Sequence, residues 1–273
     1  MNTPKLTALR AMNSKDFQER KLKGPKISMV TCYDYCSASI LNESQVDCIL
    51  VGDTSSMVMH GCATTLGATV EMVVQHTLAV VKGAPHKFII SDLPFCSYRK
   101  NRTRTMEAVE KLMRAGAHAG KLEGAAGNLK TIQHLVESGI PVMGHLGLTP
   151  QSVHALGGFR VQGRFSEAAN QLMSGAQELA AAGCFALVLE CVPADLAQKI
   201  TTDLTIPTIG IGAGPYTTGQ VLVWHDLLGL SPSFKPKFLK TYLQGFELVR
   251  AALNAFDSEV KQAIYPNLKE HCY

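Results

Sequence analysis

The stretch CILVGD, residues 48–53, is a short apolar run that closes on a glycine and an acid. Four apolar residues in a row before a turn signal are typical of a buried strand in a parallel sheet. The pattern recurs along the chain, with helical stretches between the runs. The eight runs are ISMVTCYD (27–34), CILVGD (48–53), KFIISDLP (87–94), HAGKLEG (118–124), PVMGHLG (141–147), FALVLEC (185–191), PTIGIGAG (207–214) and QVLVWHD (220–226).

The intervening helical stretches complete the fold prediction. MEAVEKLMRAG (106–116) and EAANQLMSGAQELAAAG (167–183) carry apolar residues at helical spacing and close on glycine. Eight strands alternating with helices predict an α/β fold of the (β/α)8 TIM barrel type, with an open doubly wound sheet as the alternative. We expect a single barrel domain over residues 1–273, with an N-terminal helical extension (1–26) and a C-terminal helical extension (about 232–273).

Composition and charge narrow the class of protein. Hydrophobic residues make up 46% of the chain and charged residues 18%, as in globular rather than disordered proteins. The net charge of +4 is too small to indicate a nucleic-acid binder. The basic run RKNRTR (99–104) lacks aromatic partners, so we expect a solvated loop there. No apolar run reaches the roughly 18 residues of a membrane span.

The N-terminal sequence and the cysteines indicate the cellular compartment of the protein. The first residues, MNTPKLTALRAMNSKDFQERK, contain no apolar stretch of the signal-peptide kind. The eight cysteines form no C-x-x-C pair, which argues against a zinc ribbon and fits a reducing compartment. We therefore expect a cytoplasmic protein whose partners are small molecules, with no membrane or nucleic-acid partner.

Charged residues stand at the predicted C-terminal ends of several strands. In a TIM barrel these ends form the mouth that carries the active site. Lys121 and Glu123 share one strand at positions i and i+2, so they point to the same face. A turn or a cap explains any one acid at such a place, but it explains poorly an acid at four strand ends. The residues concerned are Asp53, Asp92, Lys121, Glu123 and Glu190.

Three of these acids predict a metal site. The carboxylates of Asp53, Asp92 and Glu123 repel one another at a shared mouth unless a cation lies among them. Oxygen ligands suit Mg²⁺, and three of them leave coordination positions for water and a chelating 2-oxo acid. Lys121 offers a second positive charge for the substrate carboxylate. A polarised carbonyl makes the adjacent C–H acidic, so the site predicts proton abstraction there.

Two residues compete for the role of the base. Glu190 ends an apolar run and has no neighbouring cation in the sequence. His145, in the fifth run, is a rival base, and a hydrogen-bonded core histidine between glycines explains it equally well. We assign Glu190 as the catalytic residue and place His145 among the substrate-binding residues.

Longer stretches resemble a known family. VGDTSSMVMHG, TTLGATVEMVVQHTLAVVKGAP, SDLPF, AGKLEGA, VMGHLGLTPQSV, GGFRVQGR, VLECVP and IGIGAG closely resemble, in this order, ketopantoate hydroxymethyltransferases over roughly residues 25–270. The resemblance implies a barrel of the phosphoenolpyruvate/pyruvate-domain type. It implies one Mg²⁺ per subunit and transfer of a one-carbon unit from 5,10-methylenetetrahydrofolate to 3-methyl-2-oxobutanoate. The product, 2-dehydropantoate, leads to pantothenate and coenzyme A, and members form large homo-oligomers, typically homodecamers.

The resemblance also implies residue roles. The metal-binding positions of the family fall on Asp53, Asp92 and Glu123, and its proton acceptor falls on Glu190. Thr54 stands where the family often has serine, and it keeps the hydroxyl. The implied contacts of the 2-oxo acid are Asp53, Thr54, Asp92 and Lys121.

Two other functions remain as alternatives. A related Mg²⁺-dependent lyase or mutase of 2-oxo acids would share the enolate chemistry, but the K-K-C-G-H-type loop expected of such enzymes is missing from the sequence. A non-catalytic oligomeric scaffold with the same barrel would be indicated by loss of a metal carboxylate, yet all three are present.

Overall fold

The computed structural model describes residues 11–273 and contains a closed barrel of eight parallel strands in the order β1 to β8. This confirms the predicted (β/α)8 barrel and rules out the open sheet. The strands are β1 (Ile27–Thr31), β2 (Cys48–Val51), β3 (Phe88–Asp92), β4 (Ala119–Lys121), β5 (Val142–Gly147), β6 (Ala186–Glu190), β7 (Thr208–Ile211) and β8 (Gly219–Leu222).

Helices follow most of the strands and begin at recognisable caps. The side chains of Asp34, Thr69 and Asn101 each accept a hydrogen bond from the first turn of the helix that follows them. The helices are α1 (Ser14–Lys23), α2 (Tyr35–Glu43), α3 (Ser55–Val58), α4 (Val70–Gly83), α5 (Arg102–Arg114), α6 (Leu129–Glu137), α7 (Ser166–Ala181), α8 (Ala194–Asp203), α9 (Trp224–Leu227) and α10 (Gly245–Lys261).

Two sequence predictions need correction. The basic run 99–104 is not all loop, because Asn101 caps α5 and the helix begins at Arg102. The eighth strand ends at Leu222, four residues earlier than the run 220–226 indicated, because the chain turns into α9 at Trp224.

The N-terminal extension closes one end of the barrel. Phe17 of α1 is fully buried, and its ring lies 5.6 Å from that of Phe88 and 5.2 Å from that of Phe185. These rings belong to the core cluster at the N-terminal ends of the strands. The predicted helical extension is therefore confirmed for α1, whereas residues 1–10 lie outside the described residues.

The chain divides into two compact units, one ending at Leu222 and one spanning Val223–Tyr273. The first holds the barrel. The second holds α9 and α10, so the expected C-terminal extension is helical in part. The single-domain boundary stays a prediction. Within residues 11–273, the helices are too short or too polar to cross a membrane.

Candidate active site

Ionisable side chains are buried together at the C-terminal end of the barrel. Each lies on a strand or within two residues of its end, because parallel strands bring their carboxyl ends to one mouth. Buried charges seldom add net stability, so their concentration here indicates function. The side chains, each no more than 4% exposed, are Asp53, Asp92, Lys121, Glu123 and His145.

Asp92 and Lys121 form an ion pair that the strand register dictates. The two residues are paired neighbours on β3 and β4, and Lys121 Nζ lies 2.7 Å from Asp92 Oδ1. The backbone N–H of Asp53 donates to Asp92 Oδ2 at 3.0 Å. Although burial lowers the pKa of Lys121, the carboxylates of Asp92, Glu123 and Asp53 raise it above its ordinary value. Lys121 is therefore a fixed cation.

The negative charges of Asp53 and Asp92 are not fully balanced by the nearby positive charge of Lys121. Burial and the charges of Asp92 and Glu123 raise the pKa of Asp53 well above its ordinary value. Burial also raises the pKa of Asp92, and Lys121 opposes this only in part. The site therefore favours an additional positive charge near these two carboxyl groups.

His145 lies between two glutamates. Its Nδ1 is 3.2 Å from Glu123 Oε1, and its Nε2 is 3.3 Å from Glu190 Oε2. Burial and Lys121 lower the pKa of His145, but the two glutamates outweigh them and raise it to about 9. Both ring nitrogens are thus occupied by carboxylates, which makes His145 better suited to orienting Glu190 than to acting as the base itself.

Glu190 is the part of the cluster that reaches solvent. It is the last residue of β6, and its side chain is 20% exposed. The next residue, Cys191, has a left-handed backbone with φ of 49°, and its N–H still bonds to the carbonyl of Ile211. The strand therefore ends sharply at Glu190 and leaves its carboxylate at the mouth.

Gln151 connects the site internally. It lies in the 3-10 turn Pro150–Ser152 after β5, and its Nε2 donates to Asp53 Oδ2 at 2.8 Å. Its backbone N–H donates to Glu123 Oε2 at 3.0 Å. Gln151 therefore sets the orientation of two predicted metal ligands. The sequence reasoning missed it, although it belongs to the motif VMGHLGLTPQSV.

Comparison with protein families identifies the family of this chain. The family model "Ketopantoate hydroxymethyltransferase" matches residues 11–268. The chain belongs to the ketopantoate hydroxymethyltransferase family. The 3-methyl-2-oxobutanoate hydroxymethyltransferase of Coxiella burnetii (strain CbuK_Q154) is 63% identical over 264 residues, covering 96% of this chain and 99% of the relative. That of Bdellovibrio bacteriovorus (strain ATCC 15356 / DSM 50701 / NCIMB 9529 / HD100) is 59% identical over 255 residues, covering 93% and 97%.

A solved structure supports the barrel type. The phosphoenolpyruvate phosphomutase from Streptomyces platensis subsp. rosaceus superposes with a TM-score of 0.63 at 12% identity, covering 92% of this chain and 88% of that one. The likeness confirms the predicted (β/α)8 barrel fold. At this identity it concerns the fold alone, so it does not support the mutase alternative.

In this member of the ketopantoate hydroxymethyltransferase family, side chains from the loop after β3 contact the backbone of Glu123. Arg99 donates to the Glu123 carbonyl at 3.1 Å, and Asn128 Nδ2 donates to it at 2.8 Å. The hydroxyl of Tyr98 donates to Gln151 Oε1 at 2.8 Å. Arg99, the first residue of the basic run, is therefore exposed to solvent and still bonds to the backbone after β4.

Thr54 directly follows Asp53 at the start of α3. It is partly buried, and its hydroxyl makes no capping hydrogen bond to that helix. The predicted substrate contact through this hydroxyl is therefore compatible with the local structure, and it stays a prediction.

The residues fit Mg²⁺ best at Asp53 and Asp92, which are adjacent carboxyl groups that favour added positive charge. Glu123 Oε2 accepts from the backbone N–H of Gln151, and Glu123 Oε1 lies 3.2 Å from His145 Nδ1. Among residues 11–273, no three His, Cys, Asp or Glu side chains form a ready ligand set. Each carboxylate oxygen of Glu123 keeps a second lone pair for a metal, and the metal role of Glu123 stays a prediction.

Proposed function

We propose that the chain transfers a hydroxymethyl group from 5,10-methylenetetrahydrofolate to 3-methyl-2-oxobutanoate (α-ketoisovalerate). Water supplies the hydroxyl, and the products are 2-dehydropantoate (ketopantoate) and tetrahydrofolate. The product would serve pantothenate and coenzyme A biosynthesis. The observation that carries the proposal is the buried Asp92–Lys121 pair beside Asp53, with Glu190 at the open side, in a member of this family.

Lys121 would bind the carboxylate of the 2-oxo acid. Its ammonium is buried and is held in place by Asp92 at 2.7 Å, so little side-chain freedom is lost when the substrate binds. A charge-assisted contact in so dry a site is stronger than one in water. Thr54, beside Asp53, would add a hydroxyl contact.

Asp53 and Asp92, with Glu123 beside them, would hold one Mg²⁺. When bound, the ion supplies Lewis-acid polarisation of the 2-oxo group and stabilises the negative charge that develops there. The buried excess of carboxyl groups over Lys121 supports a divalent cation at this place. Gln151 would keep Asp53 and Glu123 oriented toward it.

Glu190 would remove the proton from C3 of the substrate. It is the carboxylate of the cluster that reaches solvent, and His145 fixes its orientation from the buried side. The electron pair left at C3, delocalised toward the 2-oxo oxygen, then forms a bond to the methylene carbon of the folate. The two C–N bonds of that carbon are replaced by this C–C bond and by a C–O bond to water, and the two folate nitrogens take up the proton from C3 and one proton from water.

We also propose self-association, as a homodecamer, in the cytoplasm. Helix α10 exposes large apolar side chains, among them Leu248, Leu253 and Phe256, each more than half exposed. Apolar surface of this extent is typical of an interface. All eight cysteines are free, which fits a reducing compartment. Light scattering should give ten times the 29.5 kDa of one chain, and a monomer would contradict the proposal.

The activity is tested by incubating the purified protein with Mg²⁺, 5,10-methylenetetrahydrofolate and 3-methyl-2-oxobutanoate. We expect 2-dehydropantoate to form, to stop forming when a chelator removes the metal, and to return when Mg²⁺ is restored. Asp92→Asn should keep the fold and weaken Mg²⁺ binding. Absence of product with all three components would refute the activity, and full activity after metal removal would refute the metal assignment.

A further inference from the structure

A pair of histidines lies outside the catalytic cluster. His60 follows α3 and is exposed, and His76 lies on α4 and is partly buried. Their Nε2 atoms are 3.1 Å apart, with ring centroids at 5.3 Å. The mechanism proposed above uses neither residue, so their close approach needs its own explanation.

The surroundings fix the proton of His76. Its Nδ1 lies 2.6 Å from the backbone carbonyl of Tyr33, which can only accept a hydrogen bond. Nδ1 therefore carries the hydrogen, and in the neutral ring the lone pair of Nε2 is directed at His60. An imidazole that donates from one nitrogen to a carbonyl and presents the other is the usual arrangement of a metal-ligating histidine.

The distance between the two Nε2 atoms suits a shared metal ion. Two Zn–N bonds of about 2.05 Å at a tetrahedral angle place their nitrogens about 3.3 Å apart, close to the 3.1 Å observed. We propose that His60 and His76 form a second metal site, for a borderline divalent ion such as Zn²⁺, Co²⁺ or Ni²⁺. Imidazole ligands favour these ions over Mg²⁺, so the site differs in chemistry from the carboxylate cluster.

The rest of the coordination sphere would be water. Among the described residues no third His, Cys, Asp or Glu completes a group at this pair. The ion would bind reversibly and would join two parts of the mouth. His60 lies at the end of the segment that begins with Asp53, whereas His76 is anchored to Tyr33 just after β1. Binding should therefore restrict the segment between Asp53 and His60.

The test uses the full-length protein, stripped of metal and then kept in excess Mg²⁺ so that the carboxylate cluster is occupied. Co²⁺ is titrated and followed by its visible absorption, and Zn²⁺ is titrated by calorimetry. His60→Gln removes one ligand from an exposed position, and His86→Gln, another exposed histidine, is the matched control. Wild type and His86→Gln should bind one ion alike, whereas His60→Gln should bind at least about tenfold more weakly.

A second readout separates binding from folding. Zn²⁺ should raise the melting temperature of wild type and His86→Gln but not that of His60→Gln, because only a native-state site stabilises the fold. Without metal, all three proteins should melt alike. Equal affinity of His60→Gln and wild type would overturn the proposal, and so would failure of wild type to bind either ion in the presence of Mg²⁺. The pair would then be a hydrogen bond between two side chains.

Discussion

The two ends of the barrel follow opposite rules, and β3 shows both. It begins at Phe88, packed against the rings of Phe17 and Phe185, and it ends at Asp92, which is buried as a charge against Lys121. Only three residues lie between Phe88 and Asp92. One end follows the ordinary logic of a core, in which apolar surface is removed from water. The other concentrates groups that cost free energy to bury.

This difference indicates that one end of the barrel stabilises the fold and the other carries the chemistry. Aromatic packing at the N-terminal end stabilises the fold. Burying charges at the catalytic end offsets part of that stability. If this division holds, substitutions at one end should change the free energy of unfolding and leave the chemistry intact. Substitutions at the other end should do the reverse.

Glu190→Gln should have the largest effect. It keeps the shape of the side chain but cannot accept a proton, so turnover should fall about 10²–10⁴-fold with little change in stability. Exchange at C3 of 3-methyl-2-oxobutanoate in D₂O, followed by proton NMR without folate, should fall with it. Glu137→Gln, an exposed control on α6, should change neither. Exchange within about threefold of wild type, together with lost transfer, would move Glu190 to the folate side of the site.

Phe17→Ala tests the other end. Removing a fully buried ring from the aromatic cluster should lower the free energy of unfolding by about 3–5 kcal/mol in denaturant titrations. The kcat/KM of the remaining folded protein should stay within about twofold. Leu22→Ala, on the same helix but 78% exposed, should cost less than about 0.5 kcal/mol. A large loss of kcat/KM in Phe17→Ala would break the division between the ends.

Lys121→Met should reduce kcat/KM by roughly 30- to 900-fold, equivalent to about 2–4 kcal/mol, because a charge-assisted substrate contact is lost in a dry site. The substitution keeps the length of the side chain. Steady-state kinetics with varied 2-oxo acid measure the effect, with the exposed Lys199→Met as control. An unchanged kcat/KM would show that Lys121 serves only to neutralise Asp92.

Gln151→Leu should have the smallest effect of the four. Its shape is similar, but Asp53 loses the side-chain amide that orients it. We expect Mg²⁺ to bind about 10- to 100-fold more weakly, measured by calorimetry or by the Mg²⁺ dependence of activity. Gln133→Leu, on the exposed face of α6, should bind Mg²⁺ as wild type does. The backbone contact of Gln151 with Glu123 survives the change, which limits the loss.

The parts that were predictable share a physical basis. Apolar runs such as 48–53 mark strands because their burial on both faces leaves a continuous signal. The pairing of Asp92 with Lys121 followed from strand ends, and the structure shows it. The prediction that Lys121 and Glu123 share one strand was wrong, because β4 ends at Lys121, although backbone bonds to β5 continue past Glu123. The asparagine at 101 was a readable signal for the start of α5 that the sequence reasoning passed over.

The parts that were missed depend on contacts between distant residues. Gln151 reaches partners 28, 58 and 98 positions away in the chain, and a polar residue in a loop has no periodicity that reveals them. The position of His145 between Glu123 and Glu190 likewise needs the register of three strands. Knowing that a barrel forms does not supply that register, so the role of His145 could not be decided from its two glycine neighbours.

The hydrogen bonds of Gln151 also bear on how reactants arrive. Through this residue the segments that follow β2, β3, β4 and β5 are tied to one another by buried contacts. Opening that side would leave several buried polar groups without partners, at about 1–3 kcal/mol each. Reactants should therefore enter over the remaining part of the rim, which begins at β6, where the side chain of Glu190 is 20% exposed. The rim of the barrel then has a side that reactants can cross and a side that stays closed, and the hydrogen bonds of Gln151 define the closed side.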